Sequence, residues 1–272
     1  MSSANNRSHS TEIAERITRT ISEGSTATLV TLIRAEANVG AKLLVEENGE
    51  VCGSLGPDEL NERVETRVAG FIDSHADMLV TDVKDFAPEL VDFAGAQLLF
   101  ERIQREPRLV ICGAGHVGAA LANLANLLGY QSTLIDDRQE FVTRDRYPDL
   151  RIELVAAADW ADAVRRSVGD GRGVSVVVVT RGHSEDEVCL QAVMATGADY
   201  VGLIGSKRRT RIVLERLKDA GANEERLSKV HAPIGLDIGA VTPEEVALAI
   251  MAEIVAVRRG GEGGSLAAKR KS

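Results

Sequence analysis

Aromatic residues are scarce in this sequence, whose five Phe, three Tyr and one Trp make up 3% of 272 residues. Proteins that bind single-stranded nucleic acid stack its bases on such rings. Acidic residues also outnumber basic ones, 41 to 32, and the resulting net charge of −9 repels a phosphate backbone. Both features argue against nucleic acid as the partner of this protein.

Cysteine and long apolar runs are also lacking. The three cysteines, Cys52, Cys112 and Cys189, lie far apart without a C-x-x-C pair. An odd number at such spacing argues against a disulfide framework and a zinc ribbon, and we predict no metal site. No apolar run approaches the roughly 18 residues of a membrane span, and the N-terminus lacks the pattern of a secretory signal. We therefore expect a cytoplasmic protein that does not bind membranes.

The remaining composition is that of a soluble globular protein, with 44% hydrophobic and 27% charged residues. A chain of this length forms one large domain or two modest ones. Its polar start and its basic, glycine-rich end lack the apolar residues for a packed core. We predict a flexible N-terminus (1–10), an N-terminal α/β domain (11–106), a Rossmann-like domain (107–259) and a flexible basic tail (260–272).

Helical periodicity and β-branched runs alternate in the N-terminal part. Asn48-Gly49 lies between two short apolar runs and predicts a β-hairpin. Pro57 is expected at the first position of a helix, where its missing N–H costs nothing. The pattern weakens over 84–106, where we predict no element. The predicted elements are a helix over Thr11–Glu23, strands over Thr26–Ile33, Lys42–Glu46 and Glu50–Ser54, a helix from Pro57 to about Ser74, and a strand over Met78–Val83.

The C-terminal part alternates strands with helices. Its apolar runs are nearly continuous, as in parallel strands buried on both faces, and they cover Leu109–Cys112, Ser132–Ile135, Val174–Val179 and Tyr200–Ile204. Two capping boxes, Ser184 with Glu187 and Thr242 with Glu245, predict helix starts. This alternation predicts an α/β fold: a C-terminal Rossmann-like, doubly wound parallel sheet with a smaller N-terminal α/β domain.

A G-x-G-x-x-G motif, formed by Gly113, Gly115 and Gly118, follows the first of these strands and opens a helix. In this context the motif predicts a tight turn, a close approach of a pyrophosphate to the backbone, and close helix–strand packing. Asp136, at the end of the next strand, would accept hydrogen bonds from a ribose. The alternative is a Rossmann-like domain that has lost its nucleotide.

Several polar side chains follow neighbouring strands at the predicted ligand-binding edge. Thr180, His183 and Asp186 come after the Val174–Val179 run, and His116 lies within the glycine motif. His116, His183 and Asp186 are candidate acid/base groups, since an imidazole titrates near neutral pH. The alternative for His116 is a surface histidine at the start of a helix.

Cations cluster after the Tyr200–Ile204 run. Ser206 is followed by Lys207, Arg208 and Arg209 at a predicted helix N-terminus, where positive charge opposes the helix dipole. An anion bound there would remove the conflict, so we predict a phosphate or other anion site. The loop over 233–237 could close over the same edge.

These motifs together resemble the XdhC/CoxI family. The matching segments are GAGHVG after an apolar strand, T-R-G-H-x-x-D, YVGLIGSKRR, and PIGL ahead of a helix that begins TPEE. The N-terminal segment GAKLLVEENGEVCGSLG is similar to the first domain of that family. The resemblance implies a maturation factor that binds molybdenum cofactor, as molybdopterin or its dinucleotide form. It also implies a cofactor chaperone rather than an enzyme, and a possible homodimer.

The resemblance further implies partners and site roles. The partners are a molybdenum hydroxylase apo-enzyme such as xanthine dehydrogenase and a cysteine desulfurase that supports cofactor sulfuration. The phosphate would be held by Gly113, Gly115, His116 and Gly118 and neutralised by Lys207 and Arg208, while His183 and Asp186 would contact the pterin or metal centre. An NAD-dependent oxidoreductase, with His183 or His116 as acid/base group, is the competing hypothesis. A protein with a vestigial nucleotide site is the third.

The sequence also departs from the family pattern. Pro57-Asp58 replaces a run of glycines, Asn61 replaces the usual glutamate, and the cysteines that other members carry before the Rossmann part are missing. Cys112, next to Gly113, is the only cysteine expected at the edge of the site, and a buried strand position is its commoner explanation.

Overall fold

A computed structural model describes residues 2–148 and 151–267. The chain divides between Arg105 and Glu106 into two compact units. Met1 and residues 268–272, parts of the two ends predicted to be flexible, lie outside the described residues. Within the described ranges, no helix combines the length and apolarity that a membrane span requires.

The N-terminal unit is built on an antiparallel five-stranded sheet with the order β3-β2-β1-β5-β4. The Asn48-Gly49 turn joins β2 to β3, and Gly49 has the positive φ of 85° that such turns favour in glycine. The strands are β1 (Ala27–Arg34), β2 (Lys42–Glu46), β3 (Val51–Ser54), β4 (Met78–Asp82) and β5 (Gln97–Ile103).

Two helices cover opposite faces of this sheet. Helix α1 (Ser2–Glu23) places Ile13 in a cluster with Ala27 and Leu29 of β1. Helix α2 (Asp58–Asp73) packs on the other face, in the cluster that holds the intervening residues of β1. Alternate residues of one strand thus enter two cores, which is the period-2 geometry of a pleated sheet.

Three sequence predictions differ from this structure. Strand β5, which pairs with β1 and β4, lies where we predicted no element, because only Leu98 and Phe100 of this half-polar strand are fully buried. Helix α1 begins at Ser2, not Thr11, since no Gly or Pro interrupts the chain before Gly24. Pro57 is the N-cap of α2 and precedes its first residue.

The C-terminal unit contains a parallel five-stranded sheet with the order β10-β9-β6-β7-β8. This is the doubly wound arrangement predicted from the sequence. Its strands are β6 (Arg108–Cys112), β7 (Gln131–Asp136), β8 (Ile152–Ala156), β9 (Val174–Val178) and β10 (Tyr200–Leu203). Its helices are α3 (His116–Leu127), α4 (Trp160–Val168), α5 (His183–Met194), α6 (Lys207–Asp219), α7 (Glu224–Leu227) and α8 (Pro243–Arg259).

Both faces of the parallel sheet are covered, so its strands are apolar throughout. Leu109 and Ile111 of β6 belong to the core that includes α3 and α8, whereas Val110 and Cys112 belong to the core that includes α4 and α5. The chain leaves β6 toward β7 on one side, and β9 lies on the other side. The carboxyl ends of β6 and β9 therefore flank a topological switch point, where ligands bind in open α/β sheets.

The two predicted capping boxes and the edge strand β8 differ in how well the sequence revealed them. The capping box of Thr242 and Glu245 is confirmed at α8. The one predicted at Ser184 is wrong, because α5 already begins at His183 behind Gly182. Strand β8 was not among the predicted apolar runs, since an edge strand leaves part of its side chains exposed.

Candidate functional site

The three glycines of the G-x-G-x-x-G motif have different surroundings. Gly113 has a φ of 115°, and a Cβ there would lie 2.5 Å from the carbonyl oxygen of Val179. A Cβ on Gly118 would lie 1.9 Å from the carbonyl oxygen of Gly113. Nothing lies within 4 Å of a Cβ on Gly115. Contacts within the protein thus require glycine at 113 and 118, while Gly115 opens onto free space.

That free space is part of a cavity of about 420 Å³ at the switch point. The loops after β6, β7, β9 and β10 and the first turns of α3 and α8 contribute to its wall. The cavity includes five sequence-predicted residues, Gly113, Gly115, His116, Asp136 and Thr180. The first turn of α3 supplies backbone N–H groups without intrahelical partners, which suit an anion.

Asp136 is buried beneath the glycine loop, with 2% of its surface exposed. Its carboxylate accepts hydrogen bonds from the amide of Ala114 at 2.7 Å and from the amide of Arg138 at 3.0 Å. The Arg138 Nε and Nη2 atoms donate two more, at 2.8 and 3.0 Å. A carboxylate offers about four acceptor positions, so all of them are filled. Burial alone would raise the pKa of Asp136, but these bonds hold that pKa below its usual value.

Arg138 is a cavity residue that the sequence interpretation did not select. Its guanidinium lies 3.6 Å from the centroid of the Phe141 ring. The hydrogen bonds to the Asp136 side chain raise the pKa of Arg138 above its usual value. About a quarter of the side chain is exposed at the cavity. Its position two residues after Asp136, at the end of the second strand of the fold, is the signal that could have identified it.

A second buried carboxylate, that of Asp186, does not line the cavity itself but binds two residues that do, Thr180 and Arg209. Asp186 is completely buried and accepts hydrogen bonds from Thr180 Oγ1 and from Arg209 Nη2, each at 2.5 Å. Burial raises the pKa of Asp186 despite these bonds. Arg209 extends from α6 into the cavity, and its buried Nε has no hydrogen-bond partner among the described residues.

An exposed ion pair links the two sides. Arg181, after β9, donates to the Asp137 carboxylate, after β7, at 2.8 Å. Glu185 adds a further carboxylate to the cavity. Because each cavity arginine already has an acidic partner, a bound anion would be held by directed N–H groups more than by net positive charge.

Several predicted site residues lie elsewhere. His183 shares the first turn of α5 with Asp186 but is exposed and does not line this cavity, so the pair forms no acid/base dyad. Ser206 caps α6 by accepting a hydrogen bond from the amide of Arg209. Lys207 and Arg208 are exposed, and Lys207 lines a separate groove beside α7. Of the three predicted cations, Arg209 is the one that enters the cavity.

Neither cysteine of the C-terminal unit, Cys112 or Cys189, lines the cavity. Cys112 is fully buried and lies in one cluster with Cys189, on the side of the sheet that packs against α4 and α5. The hydrogen bond with Cys112 and the burial of Cys189 raise the pKa of Cys189. Within 2–148 and 151–267, His, Cys, Asp and Glu residues form no group of three that could hold a metal ion.

The cavity also contains residues that carried no sequence signal of their own. Trp160, the sole tryptophan, begins α4 and is half-buried at the cavity, and Ile204 and Pro243 add apolar surface. The packing of α4 and α8 against the sheet brings Trp160 and Pro243 near the glycine loop, and Ile204 follows β10 at the same edge.

Comparison with known families agrees with this architecture. The model described as the XdhC Rossmann domain matches residues 109–254, more than half of the chain. The chain belongs to the XdhC family. A second model, described as the XdhC and CoxI family, matches residues 20–81 of the N-terminal unit. The Rossmann match covers the whole cavity described above.

Three curated bacterial proteins are among those similar to this chain. This XdhC-family chain is 29% identical over 228 residues to the Escherichia coli (strain K12) protein YqeB, covering 82% of this chain and 41% of that protein. It is 29% identical to a probable xanthine dehydrogenase subunit of Bacillus subtilis (strain 168), covering 60% of this chain and 46% of that one. It is 25% identical to the molybdenum cofactor insertion chaperone PaoD of E. coli (strain K12), covering 56% of this chain and 40% of that protein.

The chain thus spans less than half the length of these curated relatives. Among solved structures, a xanthine dehydrogenase from Bacillus halodurans matches with a TM-score of 0.51 at 18% identity, covering 94% of this chain and 97% of that chain. At this identity the match supports the fold alone.

Proposed function

We propose that this XdhC-family chain is a maturation factor that binds molybdenum cofactor in the switch-point cavity and passes it to a molybdenum hydroxylase apo-enzyme such as xanthine dehydrogenase. The observation that carries the proposal is the free space above Gly115, beside the N-terminus of α3. A glycine that no protein contact requires, at a position where backbone N–H groups face a cavity, fits a phosphate-bearing ligand.

The cavity residues fit the phosphate end of such a cofactor. The first turn of α3 would bind the phosphate, and His116 at its edge would donate a further hydrogen bond. Trp160 and Ile204 supply apolar surface for a flat ring system. The bound cofactor would supply the redox chemistry of the client enzyme, and this chain's residues would hold and orient it.

Neither cysteine of the C-terminal unit is available to a ligand in the cavity. With Cys112 and Cys189 both fully buried, no described cysteine of this unit can bind the cargo's metal or its sulfur directly. Sulfuration would then depend on a partner, for which a cysteine desulfurase stays a prediction. A cytoplasmic location and a homodimer also stay predictions.

The competing NAD-dependent oxidoreductase is less well supported. The fold and the glycine motif would accept a dinucleotide, but the acceptor positions of Asp136 are filled by Ala114 and Arg138. His183, one proposed acid/base group, does not line the cavity. His116 remains as the one histidine of that hypothesis at the site.

The decisive experiment is purification of the full chain from a molybdenum-replete host, followed by mass and fluorescence analysis of the released ligand. We expect a pterin from the wild type and at least a tenfold loss in Gly115→Asp. Gly115 is the N-cap of α3, where Asp is among the preferred residues, so the variant should fold at least as well. Its carboxylate would, however, repel the ligand phosphate.

Gly95→Asp is the matched control. It adds the same charge at a glycine that also has nothing within 4 Å of its Cβ and no positive φ, in the other unit. It should retain pterin like the wild type. A stoichiometric nicotinamide nucleotide in place of a pterin, or equal pterin in Gly115→Asp and wild type, would refute the proposal. Transfer is tested by adding the loaded protein to apo-enzyme and measuring hydroxylase activity.

A further inference from the structure

In nucleotide-binding Rossmann domains, one position binds the ribose hydroxyl groups, and in this chain the residue at that position has other hydrogen-bond partners. That position is an acidic residue at the end of the second strand, and an arginine nearby accommodates a phosphate on the ribose instead. Asp136 is present at this position, but its carboxylate binds the amide of Ala114 and three N–H groups of Arg138. No acceptor position is left for a ribose hydroxyl pair.

Arg138 is fixed in place from two directions. The two hydrogen bonds to Asp136 engage Nε and Nη2, and the Phe141 ring supports the guanidinium face at 3.6 Å. Among the described residues, Nη1 makes no hydrogen bond, and the side chain lines the cavity. A fixed guanidinium with free N–H donors is suited to a phosphate oxygen, and little side-chain entropy is lost on binding.

We propose that Arg138 determines the specificity of this cavity by selecting ligands that carry a phosphate monoester on the side of β7. Asp136 acts through Arg138 as a positioning residue, and also ties the glycine loop to the end of β7 through Ala114. The inference rests on the proposed function in one respect, namely that the phosphate assigned there to the first turn of α3 also reaches Arg138, which lines the same cavity.

Asp137 offers the alternative to be tested. Its carboxylate also lines the cavity and accepts one hydrogen bond, from Arg181, so acceptor positions remain that could read a hydroxyl pair. The two possibilities differ in the ligand they favour. Arg138 favours the phosphorylated ribose, whereas Asp137 would favour the free diol and repel a phosphate.

The experiment uses two probes that differ only in that group, ADP-ribose and 2′-phospho-ADP-ribose. Their affinities for the full chain, freed of co-purifying ligand, are measured by calorimetry and by the fluorescence of Trp160, which lines the cavity. We expect the phosphorylated probe to bind at least tenfold more tightly to the wild type. In Arg138→Ala this preference should fall below twofold.

Arg146→Ala is the control for loss of one positive charge. Arg146 lies over the same Phe141 ring, at 4.8 Å, but does not line the cavity, so the variant should keep the full preference. Equal affinities, failure of both probes to bind, or tighter binding of ADP-ribose that Asp137→Asn abolishes would each overturn the inference.

Pterin retention, measured on the same preparations, separates the two proposals. A wild type that retains pterin but shows no preference between the probes refutes the role of Arg138 alone. A wild type that prefers the phosphorylated probe but retains no pterin refutes the proposed cargo alone.

Discussion

The β7 side and the β9–β10 side of the cavity differ in how a buried aspartate is paired with an arginine. On each side a buried aspartate binds an arginine that lines the cavity: Asp136 with Arg138, and Asp186 with Arg209. Asp136 has four hydrogen bonds and a pKa below its usual value, whereas Asp186 is more deeply buried, with a pKa above its usual value. Burial raises the pKa of both carboxylates, and the number of hydrogen-bond donors to the charged form decides whether each pKa ends above or below its usual value.

This difference has consequences for the arginines. Arg138 is held by two bonds and an aromatic ring, whereas Arg209 is held by one bond to Asp186 and leaves a buried Nε without a partner among the described residues. The β7 side is thus preorganised before a ligand binds. On the β9–β10 side the buried Nε of Arg209 lacks such a fixed partner among the described residues, so the two sides should respond differently to mutation and pH.

The largest effect should come from Asp136→Asn. The substitution breaks a buried ion pair and disturbs the bond to the Ala114 amide, and we expect the free energy of unfolding to fall by about 3 kcal/mol. Urea denaturation measures the change. A loss no greater than that of Asp186→Asn would contradict the proposed difference between the two sides.

Asp186→Asn should cost less, about 2 kcal/mol, because it removes one charge-assisted bond to Arg209 and can keep a partner for Thr180. Burial already disfavours the charged form of Asp186, so a neutral amide is better tolerated there. The same urea denaturation series provides the measurement, with Asp136→Asn as the reference.

The two aspartates should contribute to stability with opposite dependence on pH. The contribution of Asp136, whose folded pKa is lowered, is fully present above its unfolded pKa and is lost as pH falls through the folded value. Asp186, whose folded pKa is raised, favours folding in its protonated form, so its contribution declines as pH rises from the unfolded to the folded pKa.

Urea denaturation of the wild type and both Asn variants over a pH series around the ordinary aspartate pKa of about 3.9 tests these signs. The stability gap between wild type and Asp136→Asn should shrink as pH is lowered, while the gap for Asp186→Asn should grow. Parallel changes in the two gaps would show that the sides do not differ.

The smallest effect is expected at the exposed ion pair that joins the two sides. More than half of the Arg181 side chain is exposed, and Arg181→Ala should change the free energy of unfolding by only about 0.5 kcal/mol. The change should decrease at high salt, which screens exposed pairs. A loss comparable to that of Asp186→Asn would mean that the bridge between the sides is part of the fold's stability.

Much of the C-terminal fold was predictable because its signals are local. The apolar runs of β6, β7, β9 and β10 and the glycine motif each identify an element, and the βαβ order then implies a doubly wound sheet. Strand β5 escaped prediction because its interior position in the sheet depends on its pairing with β1 and β4. Half-polar strands acquire their burial from pairing partners, which periodicity does not reveal.

The candidate site was predictable only in part, for the same reason. Gly113, Gly115, His116, Asp136 and Thr180 line the cavity as their strand-end positions suggest. Lys207 and Arg208 were selected on charge, yet the direction of α6 turns them to solvent and brings Arg209 inward. His183 and Asp186 share one helical turn, but only Asp186 faces the buried side.

The sequence by itself determined the Rossmann-like unit, the glycine loop and the edge of the sheet where we propose that a ligand binds, because each depends on residue types at short, fixed spacing. Only the tertiary structure decided that the hydrogen-bond acceptors of Asp136 are occupied by Ala114 and Arg138, that Arg209 lines the cavity, and that neither cysteine of the C-terminal unit does. Hydrogen-bond saturation and side-chain direction depend on what surrounds a residue in space, and residue spacing carries no record of that.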